Sequence, residues 1–153
     1  MTKIKILGIG NPILQDDGVG LHVVERLRKQ LNDTNIALDV AYTGGLNLLD
    51  SIRGFDKVIL IDAIKQVNSR VGEVKRFPME QAEALHSSNP HDVSLSDALL
   101  LASQLGETQL PVEIIVIGIV VKNITEFGEH LSQEVAAAVP SAVSLVFEEL
   151  KNT

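Results

Sequence analysis

The stretch Ile4-Lys5-Ile6-Leu7-Gly8-Ile9-Gly10-Asn11-Pro12-Ile13-Leu14-Gln15-Asp16-Asp17-Gly18-Val19-Gly20 decides the fold. Its apolar run Ile4–Leu7 is closed by Gly8 and reads as a short buried strand. After the loop, Val19, Val23, Val24, Leu27 and Leu31 recur at helical spacing. Strand, glycine-rich loop and helix together are the opening unit of an α/β protein. The glycines suggest a dinucleotide loop, but G-x-G-x-x-G fails at its third glycine, where Ile13 stands. Two carboxylates at the helix start would also repel a pyrophosphate.

The pattern repeats outward from that unit. Ile36–Val40 is a second short strand. Leu46, Leu49 and Ile52 mark a helix that stops at Gly54. Val58–Ile61 is a third, fully apolar strand that ends at Asp62. Gly72–Phe77 sets Val74 between charged neighbours and stops at Pro78, as an edge strand does. Helical residues run from Met79 to Leu85, and Ser87–His91 is a loop. Ser94-x-x-Asp97 resembles a capping box opening a helix to about Leu105, with Gly106 as its stop. Val112–Val121 is the most apolar strand. A final amphipathic segment, Ser132 to Leu150, contains Pro140, which predicts a second helix starting there.

Strands alternating with helices predict one mostly parallel sheet covered on both faces, in a single domain over residues 1–153. Right-handed crossovers place the first strand between the second and third. Chain order reverses there, and ligands of open α/β sheets bind outside the carboxyl ends of strands at such a point. The segments after Leu7, Ile61 and Val121 are therefore where chemistry is expected.

Composition narrows the chemistry. There is no cysteine, which removes disulfides, thiolate metal sites and a cysteine nucleophile, and fits the cytosol. Thirteen basic against 20 acidic residues give a net charge of −7, which disfavours nucleic acid. Five aromatics offer no base-stacking platform. The apolar run at the N-terminus is too short for a signal peptide, and Ile114–Val121 is far short of the ~18 residues of a membrane helix. A soluble, cytoplasmic protein is the expectation. H-E-x-x-H, G-x-S-x-G and the P-loop are absent from the sequence.

Asp16 and Asp17 begin a helix, and one of them can cap it. Two adjacent acids exceed what a cap needs, so the other points elsewhere; Asp16 is the expected cap. Asp62 follows a strand with no polar residue in its previous four. With the first and third strands adjacent, Asp17 and Asp62 converge, and close carboxylates call for a proton or a cation between them. Of the histidines His22, His86, His91 and His130, spacing singles out none. The residues alone lead to an α/β protein with an open metal site.

The loop Gly8–Gly20 resembles the opening of the hydrogenase maturation endopeptidases of the HybD/HycI type. The resemblance continues through Thr43–Leu49, Val58–Ala63, Pro90-His91 with Leu95 and Asp97–Leu99, Ile117–Ile119, and Leu131-Ser132 with Glu134-Val135. It implies a three-layer α/β/α sandwich of about five strands, with Gly72–Phe77 antiparallel at the edge. It also implies an endopeptidase that removes the C-terminal extension of a [NiFe] hydrogenase large-subunit precursor after nickel insertion. The family's metal-contacting trio falls on Asp17, Asp62 and His91, which is what selects His91. The nickel is implied to arrive with the substrate, with no tight resident metal, and the enzyme is expected to be a monomer. Asp16 is a candidate general base. One departure is Val40, where many relatives carry an acid; Asp39 is out of phase and faces the other side of the strand. Peptidyl-tRNA hydrolase shares a Gly-x-Gly-Asn-Pro opening, but it needs a histidine where Asp16-Asp17 stand, and a basic surface. A non-proteolytic, nickel-sensing chaperone is the other alternative.

Overall fold

The computed structural model describes residues 1–42, 46–82, 95–122 and 127–153. Five strands form one sheet among these residues: β1 (Ile4–Ile9), β2 (Ile36–Ala41), β3 (Lys57–Ile64), β4 (Val74–Pro78) and β5 (Glu113–Val120), in the order β2-β1-β3-β5-β4. All neighbours are parallel except β4, which runs antiparallel to β5 at the edge. The first strand lies between the second and third, as the crossover rule predicts. The segment expected to run to Leu85 begins with helix α3 (Met79–Ala82). Its remainder, the Ser87–His91 loop and the Ser94 capping box lie outside the described residues.

Helices cover both faces. Helices α1 (Val19–Arg28) and α5 (Gln133–Lys151) pack on one side, where Val23, Val24 and Leu27 meet Ile6, Ile59, Ile61 and the Val135–Val146 stripe. On the other side, α2 (Leu46–Ile52) and α4 (Leu95–Gln104) lay Leu49, Ile52, Ala98 and Ala102 against Leu7, Leu60 and Val116. The three-layer α/β/α sandwich expected from the sequence is what forms.

Two details differ from the sequence reading. Strand β3 does not end at Asp62; it continues through Asp62 and Ala63 to Ile64, because β5 pairs with it as far as Val120. A carboxylate on one face of a strand leaves its backbone free to continue the ladder. Nor does Pro140 start a new helix: α5 is one helix with the proline inside it. An internal proline costs about 3 kcal/mol. Ending the helix there would uncover Val143 and Val146, which are 6% and 0% exposed. Each is worth about 1.5–3 kcal/mol buried, so the continuous helix wins. Pro140 and Ala136, whose carbonyl loses its partner, both sit on the exposed face.

The amino ends of β3 and β5 are tied to the end of α5 by charge. Lys57 Nζ, almost fully buried, lies 2.7 Å from Glu149 Oε2 and 3.3 Å from Glu113 Oε1. Arg76 donates from Nε to Glu149 Oε1. The Arg76 hydrogen bond, then that from Lys57, holds the Glu149 carboxyl below its ordinary value, against the opposing effect of burial. Its ionised form is therefore favoured by folding. That stability is fully present above the ordinary carboxylate range and is lost as pH falls through the lowered folded value. Chemical denaturation should show stability falling on acidification below about pH 4.3, the ordinary glutamate value. Glu149→Gln should cost about 3 kcal/mol at pH 7, since a buried lysine loses its closest anion, and should flatten the acid slope. An unchanged slope in the variant would assign the acid sensitivity to other carboxylates.

Candidate functional site

The first loop is shaped by places where no side chain fits. A Cβ on Gly20, in the first turn of α1, would lie 2.3 Å from the Ile61 carbonyl oxygen and 2.8 Å from that of Ile9. A Cβ on Gly8 would lie 2.5 Å from the Gly20 oxygen, and one on Gly10 2.1 Å from that of Asp17. Helix α1 thus sits directly on the carboxyl ends of β1 and β3, and the loop folds back on itself. Between them is a short 3-10 turn, Gln15–Gly18, which carries the acidic pair and touches β3.

Asp17 is 1% exposed, and its Oδ2 accepts the Asn11 N–H at 2.8 Å. Asn11 in turn closes an Asx turn, its Oδ1 accepting from Ile13 N at 3.1 Å. Asp16, also buried, does not cap its own helix: neither the 3-10 turn nor α1 has a side-chain cap. The 3-10 turn places both acids before the cap position of α1, which Gly18 occupies. Instead Asp16 Oδ1 accepts the backbone N–H of Ser132 at 2.6 Å. Ser132 is the residue at which α5 begins, so the carboxylate lies at that helix's positive end, a placement worth about 0.3–1 kcal/mol. The same two segments are joined by Gln15 N to Gly128 O and Gly128 N to Ile13 O, each 2.7 Å. Gln15 accepts a left-handed φ of 43° there.

Asp62 is 7% exposed and sits opposite Gly118 in the ladder, one residue beyond the Ile61–Gly8 pair. It shares the face of Val58 and Leu60, the side that α2 and α4 cover. Topology therefore brings Asp17 and Asp62, two buried carboxylates, to the same carboxyl edge at the β1/β3 switch point. His91, which the resemblance adds to them, lies outside the described residues, as does His86. Among the described residues no group of three ligating side chains is assembled. His22 and His130 are exposed. Val40 packs into the α1/α5 layer, while Asp39 faces the opposite way and pairs with Lys5 at 3.4 Å.

The Ser132 and Gly128 backbone contacts were not found by sequence reasoning. A backbone N–H has no residue signature, and Asp16 and Ser132 are 116 positions apart. Gly20 is the residue on which this geometry depends most. Gly20→Ala should destabilise the fold by at least about 3 kcal/mol, because the clash is with two backbone carbonyls that cannot rotate away. Thermal or urea unfolding measures this; a loss below about 1 kcal/mol would mean that α1 is not seated as described.

The sequence matches the hydrogenase maturation protease family over residues 21–149. It is 28% identical to the hydrogenase 2 maturation protease of Escherichia coli, over 99% of this chain and 92% of that protein. Among solved structures, the maturating endopeptidase HybD of E. coli superposes with a TM-score of 0.81 at 25% identity, covering 99% of this chain and 93% of that one. The [NiFe] hydrogenase maturation protease HybD of Thermococcus kodakarensis gives 0.71 at 30% identity, over 96% and 98%. The five-stranded sheet with its antiparallel edge is thus the fold of proteins with one activity in common, and the chain belongs to the hydrogenase maturation protease family, as an endopeptidase.

Proposed function

We propose that this endopeptidase removes the C-terminal extension of a [NiFe] hydrogenase large-subunit precursor once nickel has been inserted. The observation that carries the reading is the pair Asp17 and Asp62, both buried and both brought to the carboxyl edge of β1 and β3. Two carboxylates held at one edge suit a cation better than a neutral peptide. The [NiFe] hydrogenase in the name of the Thermococcus relative favours nickel as that cation in this reading. The nickel belongs to the substrate, where the precursor's own thiolates hold it. Asp17, Asp62 and His91 complete its contacts, and the metal either polarises the scissile carbonyl or activates a water. Three protein groups are too few for a tight resident site, so cleavage reads whether the substrate is loaded. The reading places the enzyme in the cytoplasm as a monomer. Among the described residues no helix is long and apolar enough to cross a membrane.

The test is incubation with nickel-loaded and nickel-free precursor, followed by the mass of the released peptide. Only the loaded form should be cut; equal cleavage of both would overturn the metal-reading step. Asp17→Asn, Asp62→Asn and His91→Ala should each lower the rate by more than about 100-fold, beyond the 10–100-fold typical of losing a group behind a ligand. Alanine at His22 or His130 should leave it nearly intact. Normal cleavage by His91→Ala would return that histidine to the solvated loop residues.

A further inference from the structure

The start of α5 reaches across the fold to the acidic turn, and nothing in the cleavage chemistry above uses it. The contact is made at three points: Ser132 N–H to Asp16 Oδ1, Gln15 N–H to Gly128 O, and Gly128 N–H to Ile13 O. They fix the turn up to the residue before Asp17, whose Oδ2 is held in turn by the Asn11 N–H. Gln15 is held at φ 43°, a conformation a non-glycine side chain disfavours, so the turn must be over-determined from outside. Asp16 is 7% exposed in this arrangement, and its charge faces the positive end of a 19-residue helix.

We infer that Asp16 is a positioning residue rather than the general base, and that the Asp16–Ser132 tether holds Asp17 in register for the metal-bearing substrate. The inference rests on the function proposed above. Two arguments favour it. Asp16 Oδ1 is engaged at 2.6 Å by the backbone N–H of Ser132, so that oxygen is directed at the start of α5 and not at an incoming substrate. And adjacent residues cannot both face the same crevice: with Asp17 turned towards Asn11, Asp16 is turned towards α5.

The tether can be cut from either side. Asp16→Ala removes the acceptor. Ser132→Pro removes the backbone donor, together with a buried hydroxyl that makes no hydrogen bond among the described residues, and keeps the backbone path, since Ser132 has φ −62°, inside the range proline imposes, and its carbonyl still accepts from Ala136. Asp16→Asn keeps an acceptor oxygen but abolishes any base. Cleavage kinetics on nickel-loaded precursor should show kcat reduced about 10–100-fold in Asp16→Ala and Ser132→Pro, the usual loss for a group supporting a ligand, with little change in KM. Asp16→Asn should keep most of the wild-type kcat. Amide hydrogen exchange is the second readout: the Asn11 N–H should exchange faster in the two tether-breaking variants and not in Asp16→Asn, with Ile59 and Ile61 unchanged in all three. An Asp16→Asn as inactive as Asp16→Ala, beside a normal Ser132→Pro, would overturn the inference and make Asp16 the base. Unaltered Asn11 exchange in Ser132→Pro would overturn it too. If Asp16→Ala does not fold, Ser132→Pro and Asp16→Asn decide the matter together. If the wild type leaves loaded precursor uncut, the proposed function fails, and the exchange arm alone still decides the tether.

Discussion

The approach of Gly20 to the carbonyl oxygens of Ile9 and Ile61 is the contact on which the rest depends. Most helices of an α/β protein are held off the sheet by their side chains. Here the first turn of α1 rests on bare backbone at the place where the chain order reverses. The loop from Gly8 has then to fold back, Gly10 makes room for the Asp17 carbonyl, and the acidic pair has one place to go. That place is the carboxyl edge of β1 and β3, which Asp62 reaches from within its strand, with Asp17 turned to Asn11 and Asp16 to the start of α5.

The two ends of the sheet use charge differently. At the amino ends, Lys57, Glu149 and Arg76 compensate one another, and the network closes α5 on the sheet. At the carboxyl ends, Asp17 accepts the backbone N–H of Asn11 and Asp16 that of Ser132. A backbone donor orients a carboxylate without cancelling its full charge. Helix α5 serves both ends, with its start against Asp16 and its last turn carrying Glu149.

The middle of the sheet was legible in the sequence because β1, β3 and most of β5 are apolar runs buried on both faces, and the place of β1 between β2 and β3 followed from crossover handedness. The reading failed where a local rule met a stronger tertiary one. Asp62 looked like a strand end because polarity usually ends a buried run, yet pairing with β5 carries the strand on. Pro140 looked like a helix start, yet the valines beyond it hold the helix together. Asp17 and Asp62 could be reached by topology alone, as polar residues where the strands finish. His91 came from family resemblance, since four histidines without distinctive spacing carry no signal of their own. The partner of Asp16 was out of reach, because any residue but proline can donate a backbone N–H.

The central claim is that Asp17, Asp62 and His91 meet around one cation. A crystal of the protein soaked in a divalent transition metal tests it most directly. The account predicts one ion within about 2.0–2.3 Å of a His91 ring nitrogen and of carboxylate oxygens from Asp17 and Asp62. An ion bound elsewhere, with the His91 imidazole turned away from both carboxylates, would contradict it.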